Sequence, residues 1–228
     1  MALTDEIKQR FPNYKELAEL SFARSHDLWE RPMYQENATF LRLKQKYGVA
    51  DPDKRVTTRP QLISLYKRQN YYDAYLCTLV WGNIGTYMKA RDSFNHAFSI
   101  KKKDCNRIIQ EVKAMLCVGN IEEAFDSMCR DGRNCISGLG VSFFTKILYF
   151  VGETVESEVK PLIFDSTSLK ILTRLYADNG LNRVARQTRS CYLDFNIRMN
   201  RIARELELPS AGHLEAFLFN CGKCLNLL

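Results

Sequence analysis

The residues able to do chemistry in this chain gather in its second half. Ile136-Ser137-Gly138-Leu139-Gly140-Val141 sets two glycines around one apolar residue. That spacing makes a tight turn whose backbone N–H groups point outward where a helix begins, a geometry suited to a phosphate oxygen and also to an ordinary turn between packed helices. Lys146 follows on that helix. At about 100° per residue, Phe143, Phe144, Ile147, Leu148, Phe150 and Val151 fill one broad arc, and Lys146 falls at its edge beside Phe150. Partial desolvation there favours a neutral amine, the form that acts as a nucleophile. A lysine snorkelling from the rim of a core helix accounts for the same position. Asp165, in Phe-Asp-Ser-Thr-Ser, can cap a helix and can also stabilise positive charge. Cys221-Gly-Lys-Cys224 has metal-like spacing but no second Cys/His pair nearby, so neither a metal nor another cofactor is expected.

These groups need a folded scaffold, and the composition supplies one. The chain has 228 residues, 46% hydrophobic and 26% charged, long enough for one large domain or two closely packed small ones. Lys and Arg number 33 against 26 Asp and Glu, a net charge of +7 that favours a polyanionic partner. No apolar run approaches the roughly 20 residues of a membrane span, and the N-terminus lacks the layout of a signal peptide. An intracellular protein with mostly reduced cysteines is expected, cytoplasmic and nucleoid-associated, or nuclear in a eukaryote.

Helical spacing dominates and strand-like alternation is scarce, so the class is all-α. Pro12-Asn13 offers a cap for a helix through Tyr14, Leu17, Leu20 and Leu28, and 35–47 reads as a second helix closed by Gly48. A polar break, 51–59, precedes two or three helices over 60–97 that bend at Gly82 and Gly85. Further helices are expected at 105–117, 121–129, 141–151, from Asp165 onward, at 189–206 and at 212–221. Eight basic residues against two acids lie between Lys170 and Arg204, and Lys101, Lys102 and Lys103 form a second basic cluster. Such runs are solvated faces or phosphate tracks.

An apolar-x-Gly-apolar-Gly turn between two helices resembles the helix-hairpin-helix of the DNA glycosylase superfamily. Pro161-Leu162-Ile163-Phe164-Asp165 is similar to the apolar-Pro-apolar-Asp segment that follows the hairpin there, and Gly212-His213-Leu214-Glu215-Ala216-Phe217-Leu218-Phe219 looks like the last helix of 8-oxoguanine DNA glycosylases. The three matches arrive in the family's order over roughly the last hundred residues. Trp81-Gly82-Asn83-Ile84 stands loosely where the family has a strand-separating Asn. In the familiar 8-oxoguanine enzymes the nucleophilic Lys lies two residues after the second Gly, where this chain has Ser142; Lys146, one helical turn further on, resembles the arrangement of a divergent archaeal branch.

The resemblance implies a two-lobed body, with 1–59 and 153–228 in one lobe, 60–152 in the other and the helix-hairpin-helix over 121–151. It implies a monomer that binds double-stranded DNA containing a modified base and flips that base into the cleft between the lobes, with no membrane partner. Lys146 would be the nucleophile and Asp165 the acid facing the sugar. Phe219, Glu215, Ser142 and Phe144 would form the base pocket, while Ile136, Gly138, Gly140, Arg133, Trp81 and Asn83 would meet the DNA. Excision of 8-oxoguanine with strand-nicking lyase activity is the first expectation. Because Glu215 stands where the family has Gln, excision of bulky hypermodified bases of phage DNA, as a defence, remains open, as does a DNA-binding module without catalysis.

Overall fold

The structure, a computed structural model, describes residues 3–18, 38–47, 58–82 and 91–221, the side chains of 91–94 apart. Among them are twelve helices and no strand: α1 Leu3–Arg10, α2 Tyr14–Leu17, α3 Ala38–Tyr47, α4 Arg59–Lys67, α5 Tyr71–Trp81, α6 Arg91–Phe98, α7 Lys102–Cys117, α8 Ile121–Met128, α9 Val141–Gly152, α10 Ser166–Asp178, α11 Arg189–Glu205 and α12 Ala211–Cys221. The all-α fold follows from local chemistry. Side chains close the N-termini of the helices that matter to the site: Thr58 and Gln61 form a reciprocal capping box on α4, Asn120 caps α8, Asp165 caps α10 and Thr188 caps α11.

Helix α9 is the centre of the molecule. It packs on α4, α5, α7 and α8, and every residue from Phe144 to Gly152 is buried. Helix α5, buried along nearly its whole length, lies beside it. Phe150 joins them, stacking on Tyr66 of α4 and meeting Trp81 edge-on at 5.3 Å. The other large surface of the core is α11, which packs on α8, α10 and α12. Phe125 bridges the two, edge-on to Phe144 of α9 and stacked on Tyr192 of α11 at 4.6 Å.

The first helices reach the far end of the sequence. Tyr14 donates to the Leu206 carbonyl, Glu6 of α1 pairs with Arg174 of α10, and Phe11 lies edge-on to Phe217 of α12. Helix α3 instead docks on α5, where Arg42, Lys46 and Tyr47 converge on Asp73. The helix expected through Leu20 and Leu28 is described only as far as Ala18, and its remainder lies outside the described residues. Arg59 corrects the reading of 51–59 as a polar break: it is the first residue of α4 and is buried.

Candidate active site

One pocket gathers residues from five parts of the chain. Arg59 of α4, Trp81 of α5, Lys146 of α9, Ile163 and Asp165 of the segment before α10, and Glu215, Ala216, Phe219 and Asn220 of α12 line it. It encloses about 370 Å³ counting its open mouth. Its inner part is narrow, with room for about one water molecule. Phe219 and Asp165 are half-buried and Asn220 exposed, whereas Arg59, Trp81, Lys146 and Glu215 are buried.

Lys146 is deeper than its helical position suggests. The expected rim lysine is only 5% exposed, because a second element covers it. Gly82, at the C-terminal end of α5, has no side chain, and a Cβ there would lie 3.0 Å from Lys146 Cδ and from Phe143 Cε1. Glycine thus lets the lysine stem pass between two helices. The amine donates to the Ser142 carbonyl at 2.6 Å and lies 5.1 Å from the centre of the Phe143 ring.

The acid arrives on an extended segment strapped from both sides. Asn196 of α11 accepts the Leu162 N–H at 2.7 Å, and Asn200 bonds both the N–H and the carbonyl of Lys160. From α9, Thr145 Oγ1 accepts the Phe164 N–H at 3.0 Å. Gly152 completes the fit, since any Cβ there would collide with the Pro161 ring. Asp165 then caps α10, its Oδ1 accepting the N–H groups of Thr167 and Ser168 and the Ser168 hydroxyl. All three bonds fall on Oδ1, so capping leaves the other carboxylate oxygen available to a ligand in the pocket.

Glu215, placed by α12, is 4% exposed and forms an ion pair with Arg59 at 2.5 Å. The guanidinium also donates to the Gly212 carbonyl and lies over the rings of Tyr149 and Trp81, 5.0 and 5.6 Å from their centres. Burial works against the guanidinium's charge, but the Glu215 carboxylate and the Tyr149 hydroxyl outweigh it and raise the pKa. Nearby, burial and the charge of Arg59 hold His213 below its ordinary pKa, and burial pushes the Glu153 carboxyl up against the opposing charges of Lys160, Arg59 and Lys67. Arg59 was not expected from sequence. The detectable signal is the Thr58-x-x-Gln61 capping box, which moves Arg59 from a linker into a helix.

The hairpin lies on the N-terminal side of α9. Ile136 is buried and anchors the turn, Gly138 has φ +84°, and the Leu139 N–H returns to the Ile136 carbonyl. Helix α9 begins after Gly140 with no side-chain cap and no acidic residue in its first turn, so its first amides can take an anion. Ile136 and Ser137 share an open groove with His96, Ser99 and Asp104, beside the exposed lysines 101–103.

Other expected positions fall elsewhere. Phe144 packs into the core against Phe125 and does not line the pocket; Ser142 contributes its carbonyl to Lys146. Trp81 is a buried wall of the pocket. Arg133 pairs with Glu123 at 2.8 Å and lines a separate groove, while Asn83 and Cys224 lie outside the described residues. In the basic run, Arg174, Arg189, Arg198, Arg201 and Arg204 are all ion-paired, leaving the exposed Lys170, Arg183 and Arg186 as the stronger candidates for a phosphate track. Among the described residues no His, Cys, Asp or Glu cluster could hold a metal, and no helix is long and apolar enough to cross a membrane.

No curated protein and no solved structure matches the chain. A family model does, that of the "Putative 8-oxoguanine DNA glycosylase OGG-like protein", over residues 16–219. The matched span takes in every residue lining the pocket except Asn220, and the chain belongs to this OGG-like DNA glycosylase family.

Proposed function

We propose that the chain is a bifunctional glycosylase that binds duplex DNA, flips a modified base into the pocket and excises it, with 8-oxoguanine the first substrate. The observation that carries this reading is the shared pocket of Lys146 and Asp165, two residues that separate elements bring together. A buried amine that shares a pocket with a carboxylate suits attack on C1′ of the sugar. In that step the Nζ lone pair forms a bond to C1′, the bond from C1′ to the base breaks, and the base departs with the electron pair and takes up a proton. Asp165 would stabilise the positive charge that develops on the sugar. Loss of an amine proton and ring opening then give an imine, from which removal of a C2′ proton expels the 3′ phosphate and nicks the strand.

Trp81 and Phe219 supply aromatic walls for an extruded base and Glu215 a reading group. Because the interior is narrow, the base must displace the more exposed side chains of the mouth, Phe219 and Asn220. The hairpin amides would hold the phosphate backbone, and the division into lobes at about residues 60 and 152 would place the duplex across the pocket.

A duplex panel tests the reading, with 8-oxoguanine, other oxidised bases and a glucosylated 5-hydroxymethylcytosine each offered for strand cleavage in the presence and absence of borohydride. Cleavage at 8-oxoguanine with a borohydride-trapped adduct that Lys146→Gln abolishes is the expected result. Selective cleavage at the glucosylated base would move the substrate to phage-type DNA. Base release that survives in Lys146→Gln, without nicking, would replace the amine by a water that Asp165 directs. Binding without any base release would leave a DNA-binding module.

A further inference from the structure

A lone Glu215 would give the pocket a buried negative charge, and its best-matched occupant would be a cationic base, one alkylated on a ring nitrogen. The ion pair removes that bias. Arg59 and Glu215 have side chains 6% and 5% exposed, so solvent screens their charges little. The guanidinium is held from four sides, by the carboxylate, the Gly212 carbonyl and the two aromatic faces of Trp81 and Tyr149. The α4 capping box fixes the backbone from which it extends. Both partners line the pocket, so one residue carrying hydrogen-bond donors and one carrying an acceptor share its lining.

Resting on the glycosylase reading, we infer that Arg59 sets the class of base the pocket accepts: neutral bases that carry a hydrogen-bond acceptor next to a donor, such as the O6 and N1–H edge of an oxidised guanine. Cationic ring-alkylated purines such as 7-methylguanine are rejected. The acceptor of the base takes a guanidinium N–H while its donor goes to Glu215; a cationic ring gains from the carboxylate only what it loses to the guanidinium, so the cost of taking its charge out of water is left uncompensated.

The test compares affinities for duplexes whose 2′-fluoro sugars prevent base loss, one carrying 8-oxoguanine and one 7-methylguanine. Wild type is expected to prefer the neutral base. Arg59→Met leaves the carboxylate uncompensated and should shift the affinity ratio toward 7-methylguanine by about tenfold or more; Arg59→Met combined with Glu215→Gln should bring the ratio back. Should Arg59→Met fail to fold, Glu215→Gln alone serves, because it leaves the guanidinium unopposed and should shift the ratio further toward the neutral base. An unchanged ratio in the folded variant, or a wild type that favours 7-methylguanine, overturns the inference. Excision of cleavable 8-oxoguanine duplexes is followed in parallel. A preference for the neutral base without excision would retain Arg59's role and reject the glycosylase.

Discussion

Thr145 Oγ1 accepts the Phe164 N–H at 3.0 Å and donates to the Val141 carbonyl at 2.7 Å. The bond joins α9 to the segment before α10 at the residues adjacent to Lys146 and Asp165, and its hydroxyl is buried. Thr145→Val keeps the shape and strands the Phe164 N–H, at a cost of about 1–3 kcal/mol. Slower single-turnover excision with nearly unchanged duplex affinity is expected, and Thr145→Ser should restore the rate. A rate loss that tracks melting temperature alone would reduce Thr145 to a core residue.

Gly82 should behave as a positioning residue for the amine. Its φ of −72° suits any residue, so only space forbids a side chain there. Gly82→Ala would bring a Cβ to 3.0 Å from Lys146 Cδ. Secondary structure should be retained while borohydride trapping falls, and trapping at the wild-type rate would show that the lysine stem moves aside without consequence.

The sequence carried the order of the helices because their signals are local. Apolar spacing, the Asn120, Asp165 and Thr188 caps and the glycines of the hairpin all act within a few residues of the elements they shape. Lys146, Asp165, Glu215 and Phe219 were legible as a group through the resemblance, and the pocket brings them together. What escaped depends on distant contacts. The burial of Lys146 comes from Gly82, and Arg59 acquires its role only when α12 brings Glu215 to it. Phe144 shares the apolar arc of α9, but that part of the arc faces Phe125 rather than the pocket.

The docking of α3 on α5 should be sensitive to acid. Burial alone would raise the Asp73 carboxyl, but hydrogen bonds from Lys46, Arg42 and Tyr47 outweigh it and hold it far below the usual carboxylate range. A carboxyl lowered in the folded state stabilises the fold fully above its unfolded pKa of about 4, and that contribution is lost as pH falls through the folded value. The urea midpoint should therefore decline below about pH 4. Asp73→Asn should flatten that decline and cost about 1–3 kcal/mol at neutral pH, toward the lower end because Arg42 and Lys46 are half exposed. Parallel acid profiles for the two proteins would remove Asp73 as the cause.

The two hairpin glycines should separate folding from DNA binding. Gly138, at φ +84°, occupies the left-handed region, and Gly138→Ala should lower stability by about 1–2 kcal/mol whatever it does to binding. Gly140 has φ −81° in extended backbone, and a Cβ there would meet nothing within 4 Å. Gly140→Val should therefore cost only about 0.5–1 kcal/mol, the penalty of a poor N-cap residue. If the first amides of α9 hold a backbone phosphate, the valine side chain projects into the space that phosphate needs. Affinity should then fall equally for damaged and undamaged duplexes, because the contact reads no base, and the dependence of affinity on salt should become shallower as one phosphate contact is lost. A Gly140→Val protein with wild-type affinity and salt dependence would show that the hairpin only joins two helices.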